Sequence, residues 1–358
     1  MLNRRELLMG TAASAALAAW PSFAAAKPSE IRAILLHLGL NEWGDWLGPD
    51  EERDQGRNYT ADKIRFDETI WRETVDYMRK AGMNTVVMDL GEFVAYPSHP
   101  ELGVTGSWTA ERMNAEVRRV KAMGLEPIPK LNFSAGHDSW LKEYHRMVST
   151  RQYYKVCADV IKDVCDIFEK PRFIHLGYDE ETAGHQHKQT HVTVRQGELW
   201  WHDFLWFCRG VGKLGMRPWI WSDYGWKHDD FVGRCPKEVL HSNWYYDEQM
   251  GGFDPDTTTN AWSKSVLRLY EALDKAGFEQ VPCASNWQSP QRKKAGLANN
   301  DACMGELVKF CRERLSPANL KGFMMASWTN CAGRGCQTFN HAGIDQLATA
   351  LRDFPPRG

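Results

Sequence analysis

Phe173-Ile174-His175-Leu176-Gly177-Tyr178-Asp179-Glu180-Glu181 is an apolar run that ends abruptly in three consecutive carboxylates. It reads as a buried strand emptying into a site where charge meets water or a ligand, because adjacent carboxylates repel one another and cost desolvation when buried. A strand followed by a solvated acidic turn is the plainer reading of the same residues. The segments on either side supply the fold.

Working outward from that stretch, short apolar or β-branched runs alternate with longer amphipathic segments, the pattern of βα units rather than hairpins. The spacing predicts strands at 31–40, 85–90, 126–133, 173–178, 217–222, 239–244, 280–285 and 322–327. Helices are predicted at 67–81, 109–123, 150–168, 197–214, 262–276, 299–314 and 341–352, four of them stopping at Gly82, Gly124, Gly215 and Gly277 just before the next strand. Eight such units in a chain of this length close a single-domain α/β fold, the (β/α)8 TIM barrel, expected over residues 27–358. A doubly wound open sheet is the competing architecture, but no GxGxxG turn follows the first strand and no P-loop occurs, so nothing positive supports nucleotide binding.

Residues 1–26 stand apart. Asn3-Arg4-Arg5-Glu6-Leu7-Leu8-Met9 precedes an Ala-rich apolar stretch, and Ala24-Ala25-Ala26 precedes Lys27, the features of a twin-arginine export signal with a small-residue cleavage site. A membrane anchor is the rival reading, but the stretch is short and interrupted by Ser14 and Pro21. The expectation is cleavage after Ala26 and a bacterial periplasmic or secreted protein with no membrane anchor thereafter. The oligomeric state is left open.

With 44 basic against 46 acidic residues and no Lys/Arg block, nucleic acid is not an expected partner. Nine Cys form no Cys-x-x-Cys pair, which argues against thiolate zinc or redox chemistry. Cys331 and Cys336 bracket a Gly-rich loop and are expected to bridge, whereas Cys157 with Cys165, and Cys303 with Cys311, recur at helical spacing as buried apolar residues do. Sixteen Trp is an unusual number, and although most serve packing, indole faces suit the C–H faces of sugars.

Barrel enzymes keep their chemistry where strands end. Those positions hold His37, Asn41, Glu42 and Trp43 after the first strand, and Asp89 and Glu92 after the second. Asn132, His137 and Asp138 follow the third, Asp179 and Glu180 the fourth, and Asp223 the fifth. Tyr245, Tyr246 and Asp247 follow the sixth, Asn286 and Trp287 the seventh, Trp328 and Asn330 the eighth. A ring of carboxylates, amides and aromatics suits a carbohydrate, the expected partner. Cleaving a glycosidic bond needs a carboxylic acid to protonate the leaving oxygen and a second group to handle positive charge at the anomeric carbon.

His175-Leu176-Gly177-Tyr178-Asp179-Glu180 resembles the His-x-Gly-Gly-Asp-Glu motif that ends strand four of the family 20 glycoside hydrolases, the β-N-acetylhexosaminidases. Ile128-Pro129-Lys130-Leu131-Asn132-Phe133-Ser134-Ala135-Gly136-His137 resembles their Ile-Pro-Glu-Ile-Asp-x-Pro-Gly-His segment at strand three. The resemblance runs from strand two through strand five, with weaker echoes at Trp221-Ser222-Asp223 and Ser327-Trp328. It implies Glu180 as general acid and Asp179 as the group orienting the substrate's own 2-acetamido group, whose oxygen attacks the anomeric carbon. Glu180 would then stay protonated near neutral pH and Asp179 ionised.

The implied sugar contacts are His137, His175, Asp223, Trp244, Tyr245, Tyr246, Trp287 and Trp328. Tyr245 or Tyr246 would bond the reacting acetamido oxygen, and the three Trp would wall its pocket. No cofactor and no metal are implied. The seventh strand carries no carboxylate, which favours substrate assistance over an enzyme nucleophile and leaves Glu92 or Asp223 as a distant base for inversion. The departures are Tyr178 for the second motif Gly, Lys130 and Asn132 for two acidic residues, and no counterpart of the family's Arg near strand one. The strand pattern begins directly after the leader, without the small domain that often precedes the barrel.

Two other functions fit the same residues. A non-catalytic carbohydrate-binding barrel keeps the aromatics but gains little from a close carboxylate pair. A metal-dependent hydrolase such as a deacetylase would use His185-x-His187-x-x-x-His191.

Overall fold

The computed structural model describes residues 30–45, 60–246, 253–287 and 301–357. The leader at 1–26 and Asp247 lie outside them. β1 (Ile31–His37), β2 (Thr85–Asp89), β3 (Glu126–Lys130) and β4 (Phe173–His175) alternate with α1 (Glu68–Lys80), α2 (Ala110–Ala122) and α3 (Arg151–Ile167). α4 (Glu198–Lys213), β5 (Arg217–Trp221), α5 (Phe231–Arg234) and β6 (Leu240–Ser242) follow. α6 (Ala261–Lys275), β7 (Cys283–Ala284), α7 (Cys303–Arg314), β8 (Gly322–Asn330) and α8 (Arg334–Asp353) complete the order.

The eight strands of the main sheet are parallel, in the order β6-β5-β4-β3-β2-β1-β8-β7, and Val94–Ala95 pairs separately with Trp108–Thr109. Isolated bridges His241–Gln280 and Trp244–Cys283 join β6 to the β7 segment and bring the two edges together, so the sheet is a nearly closed (β/α)8 barrel. The seam is held by His241 N–H to Glu279 O at 3.0 Å and Cys283 N–H to Asn243 O at 3.0 Å.

Alternation along the strands separates two cores. Leu35, Val87, Ile128, Phe173, Trp219 and Met324 fill the barrel, while a larger apolar layer packs the helices against its outside. Capping agrees with the helix starts: Asp67, Thr109, Thr150 and Asn260 each accept a backbone N–H from the first turn. Gly82, Gly124, Gly215 and Gly277 adopt φ of 78–83° after their helices.

Three expectations change. α8 begins at Arg334 rather than 341, since its first turns bury Gln337 and Asn340, polar residues that break the apolar period. α5 is a single turn, too short to show periodicity. Cys331 and Cys336 are unbridged: Cys331 is a buried free thiol in the loop after β8, and Cys336 sits inside α8. Among the described residues, no helix is long and apolar enough to cross a membrane.

Candidate active site

Strand register builds the floor of the site. His37 pairs with Asp89, Asp89 with Lys130, and Lys130 with His175, so four polar side chains line one level across β1 to β4. Lys130 Nζ lies 2.5 Å from Asp89 Oδ2 and 3.6 Å from Glu42 Oε1, and His37 Nδ1 lies 3.0 Å from the same Asp89 oxygen. Burial opposes charge here, yet Lys130 and His37 hold Asp89 below the usual carboxylate range. Burial, then Asp89, pushes Glu42 well above it. His175 is kept neutral by burial and by Lys130, and its ring packs against Trp219 and Trp221 beneath the mouth.

After His175 the chain leaves the ladder through a strained turn, with φ of 71° at Gly177, 72° at Tyr178 and 52° at Glu180. Gly177 is required, since a Cβ there would lie 1.9 Å from Asn132 Oδ1. Tyr178 keeps the left-handed backbone without being glycine because its ring is clamped against Trp200, Phe204 and Phe207. Gly177→Ala should therefore cost about 1–3 kcal/mol of stability in chemical denaturation. It should also displace Asn132; an unchanged midpoint would refute this account of the turn.

That turn delivers the carboxylates. Asn132 Nδ2 donates to Asp179 Oδ1 at 2.8 Å. His137 Nε2 stands 3.5 Å from Asp179 Oδ2 and 3.3 Å from Glu180 Oε2, and His185 Nε2 stands 3.4 Å from Glu180 Oε1. Asp179 is buried, whereas the Glu180 side chain is 32% exposed. Burial alone would raise the Glu180 carboxyl, but the His137 and His185 imidazoles beside it outweigh burial and hold the group well below the usual carboxylate range. The protonated Glu180 expected from its negative neighbours is thus reversed: two imidazoles grip it as a carboxylate.

The elevated acid is Asp223, pushed up to about 7 by burial and by Asp179, while its Oδ2 accepts the Glu180 N–H at 2.8 Å. Its value is raised from the ordinary 3.8, so the folded state holds this proton more tightly than the unfolded one. The stability this confers is full below pH 3.8 and is lost as pH rises through about 7. Asp223→Asn, which keeps an acceptor for the Glu180 N–H, should raise the melting temperature at pH 8 and leave it unchanged at pH 3.5. Equal shifts at both values would contradict the assignment.

An aromatic belt faces these groups. His137 meets Trp43, Trp43 meets His37, and His37 meets Trp328 at ring separations of 6.2, 5.3 and 5.6 Å. Trp328 continues to Trp221 at 5.6 Å and Tyr246 at 6.4 Å, Tyr246 stacks on Trp244 at 4.8 Å, and Trp226 closes on Trp244 at 4.4 Å. The Tyr246 phenol is buried and senses the charges of both Glu180 and Asp179.

Of the residues read from sequence, the structure brings together Asp179, Glu180, His137, Asp223, Trp244, Tyr246 and Trp328, with His175 below them. Tyr245 is corrected: its hydroxyl donates to Ser263 on α6 and its ring packs on Phe253 and Trp262, so it belongs to the helical layer, as strand alternation from Tyr246 demands. Trp287, whose backbone N–H donates to Ser285 Oγ at 2.9 Å, is the last described residue of its loop.

Glu92 is likewise no base: its two oxygens accept Leu40 N–H and Asn41 N–H at 2.8 and 3.0 Å, bracing the β1 loop. His185, His187 and His191 do not converge, since His187 Nδ1 meets Gly184 O and His191 Nε2 meets Thr193 Oγ1. Sequence reasoning missed the clamping role of His185 and the belt position of Trp226. The only signal was proximity, His185 five residues after Glu180 and Trp226 three after Asp223.

No protein-family model matches the sequence, and no curated protein sequence does. Solved structures do match in shape. The β-N-acetylhexosaminidase from Bacteroides fragilis NCTC 9343 superposes with a TM-score of 0.58 at 12% identity, over 89% of this chain and 65% of that one. The family 20 β-N-acetylhexosaminidase from Streptomyces coelicolor A3(2) gives 0.58 at 13% identity, over 88% and 64%. A Streptomyces plicatus β-hexosaminidase variant in complex with its product GlcNAc gives 0.56 at 13%, over 88% and 63%. The chain spans slightly under two thirds of these proteins, and what it shares with the family 20 β-N-acetylhexosaminidases is their barrel fold.

Proposed function

We propose that this chain is a glycoside hydrolase acting on a 2-acetamido sugar. The observation that carries the reading is the asymmetry of two adjacent carboxylates at the end of β4. Asp179 is buried and oriented by Asn132; Glu180 is open to the cleft and faces the aromatic belt. In the proposed reaction Asp179 accepts the acetamido N–H, so that the acetamido oxygen is aimed at the anomeric carbon and the positive oxazolinium is stabilised. Glu180 gives a proton to the leaving oxygen and then takes one from the incoming water. Tyr246 stands where it can bond the acetamido oxygen, and Trp244 and Trp328 supply apolar walls. The proton Glu180 needs is held nearby on His137 and His185, both raised above the ordinary imidazole value by these carboxylates. Exclusion of water by the sugar would raise the Glu180 carboxyl and draw that proton across.

The ionised Glu180 of the free site also favours a second reading, a barrel that binds amino sugars without cleaving them. Purified protein offered 4-nitrophenyl N-acetyl-β-glucosaminide and 4-nitrophenyl β-glucoside separates the two. Release of nitrophenol from the first but not the second supports substrate-assisted hydrolysis; calorimetric binding of N-acetylglucosamine without release supports the binding barrel. Export through the twin-arginine route is part of the proposal, resting on Arg4 and Arg5, and retention of an Arg4→Lys/Arg5→Lys double variant in the cytoplasm is its test.

A further inference from the structure

We propose that His137, Asp179 and Glu180 form a binding site for a divalent cation of the zinc class. His137 Nε2 and one oxygen of each carboxylate lie within 4.8 Å of one another. Zinc bonds to imidazole and carboxylate are about 2.0–2.2 Å, so tetrahedral donors sit about 3.3–3.6 Å apart. The separations here, 3.5 Å to Asp179 Oδ2 and 3.3 Å to Glu180 Oε2, fall in that interval and exceed those of ordinary hydrogen bonds.

Outer contacts divide the carboxylate oxygens in the way metal ligands require. Asn132 holds Asp179 Oδ1 and His185 faces Glu180 Oε1, leaving Oδ2 and Oε2 aimed at the shared point. His137 is 2% exposed and neither of its ring nitrogens has a hydrogen-bond partner, so a buried imidazole offers an unpartnered Nε2 to this point. The open side of Glu180 leaves a fourth position facing the cleft. The other group of this kind, His37, Glu42 and Asp89, differs in one respect: the Lys130 ammonium already stands 2.5 Å from Asp89 Oδ2 and serves as its cation.

On the hydrolase reading the ion and the sugar use the same oxygens, so zinc would be a competitive inhibitor. The binding claim itself does not depend on turnover. Titrating the protein with zinc chloride in a calorimeter should show one ion per chain, with magnesium chloride at least about tenfold weaker because two of the three donors are not enough for a hard cation. Asp179→Asn, nearly isosteric, and His137→Ala should each weaken zinc at least about 100-fold, and Asn132→Ala about 10–100-fold. His187→Ala, whose ring only meets Gly184 O, should leave the affinity unchanged. Circular dichroism melts confirm that each variant is folded. Absence of stoichiometric zinc binding in the native protein, or binding that survives both Asp179→Asn and His137→Ala, overturns the site. Zinc binding with no hydrolysis of any glycoside leaves the site standing and removes the hydrolase reading instead.

Discussion

On the proposed reaction, Glu180→Gln is expected to lower turnover about 10²–10⁴-fold on sugars with poor leaving groups, since the amide keeps size and hydrogen bonding but has no acidic proton to give. Aryl glycosides with acidic phenols need little protonation and should lose far less. Asp179→Asn should impair both substrate types, because the acetamido group loses its orienting charge whatever departs. The diagnostic quantity is the slope of log(kcat/KM) against leaving-group pKa, which should steepen in the first variant and stay near native in the second. Native rates for both variants across the series would remove both residues from the chemistry and reduce them to a solvated strand end.

The largest effect on stability is expected at Arg195, a wholly buried guanidinium. Its Nε donates to Glu181 Oε1 at 2.8 Å, Nη2 donates to Phe133 O at 2.8 Å and to Glu181, and Nη1 stands 3.3 Å from Asp203 Oδ2. Glu181 also accepts the Ala135 N–H at 3.0 Å, so this cluster ties the loop after β3 to the loop after β4 and to α4. Removing one partner of a buried pair strands the other charge, which typically costs about 3–5 kcal/mol. Arg195→Met should lower the unfolding free energy extrapolated from urea denaturation by that amount, and adding Glu181→Leu should recover part of the loss, because the stranded carboxylate is then gone. A midpoint within error of native would show that the cluster is ornamental to stability.

The barrel was legible because its signals are local. Apolar runs, amphipathic spacing and glycine stops report each βα unit separately, and the eight strand positions follow from them. Strand ends were less so: the ladders stop at Asp89, Lys130 and His175 while the apolar pattern runs on through Leu90, Leu131 and Leu176, which turn to the helical layer instead. Asp179 and Glu180 stood out as charge at the end of an apolar strand. The protonation of Glu180 did not, since His137 and His185 approach it from two different loops and no spacing records that. Tyr245 and Tyr246 are adjacent in sequence and alike in chemistry; only the direction of the pleat, toward Ser263 or toward Trp328, separates a core residue from a cleft residue.

The seam between β6 and β7 is where the barrel closes on itself. Four backbone bonds cross it, from His241 N–H to Glu279 O, Val281 N–H to His241 O, Cys283 N–H to Asn243 O and Tyr245 N–H to Cys283 O, at 2.8–3.3 Å. Amides at His241 and Cys283 should accordingly be protected from deuterium exchange, because they are released only when these bonds break together. Trp244 and Tyr246 ride on one lip of that seam and Trp287 on the other. The bonds that close the barrel thus also fix where that aromatic wall stands relative to the two carboxylates.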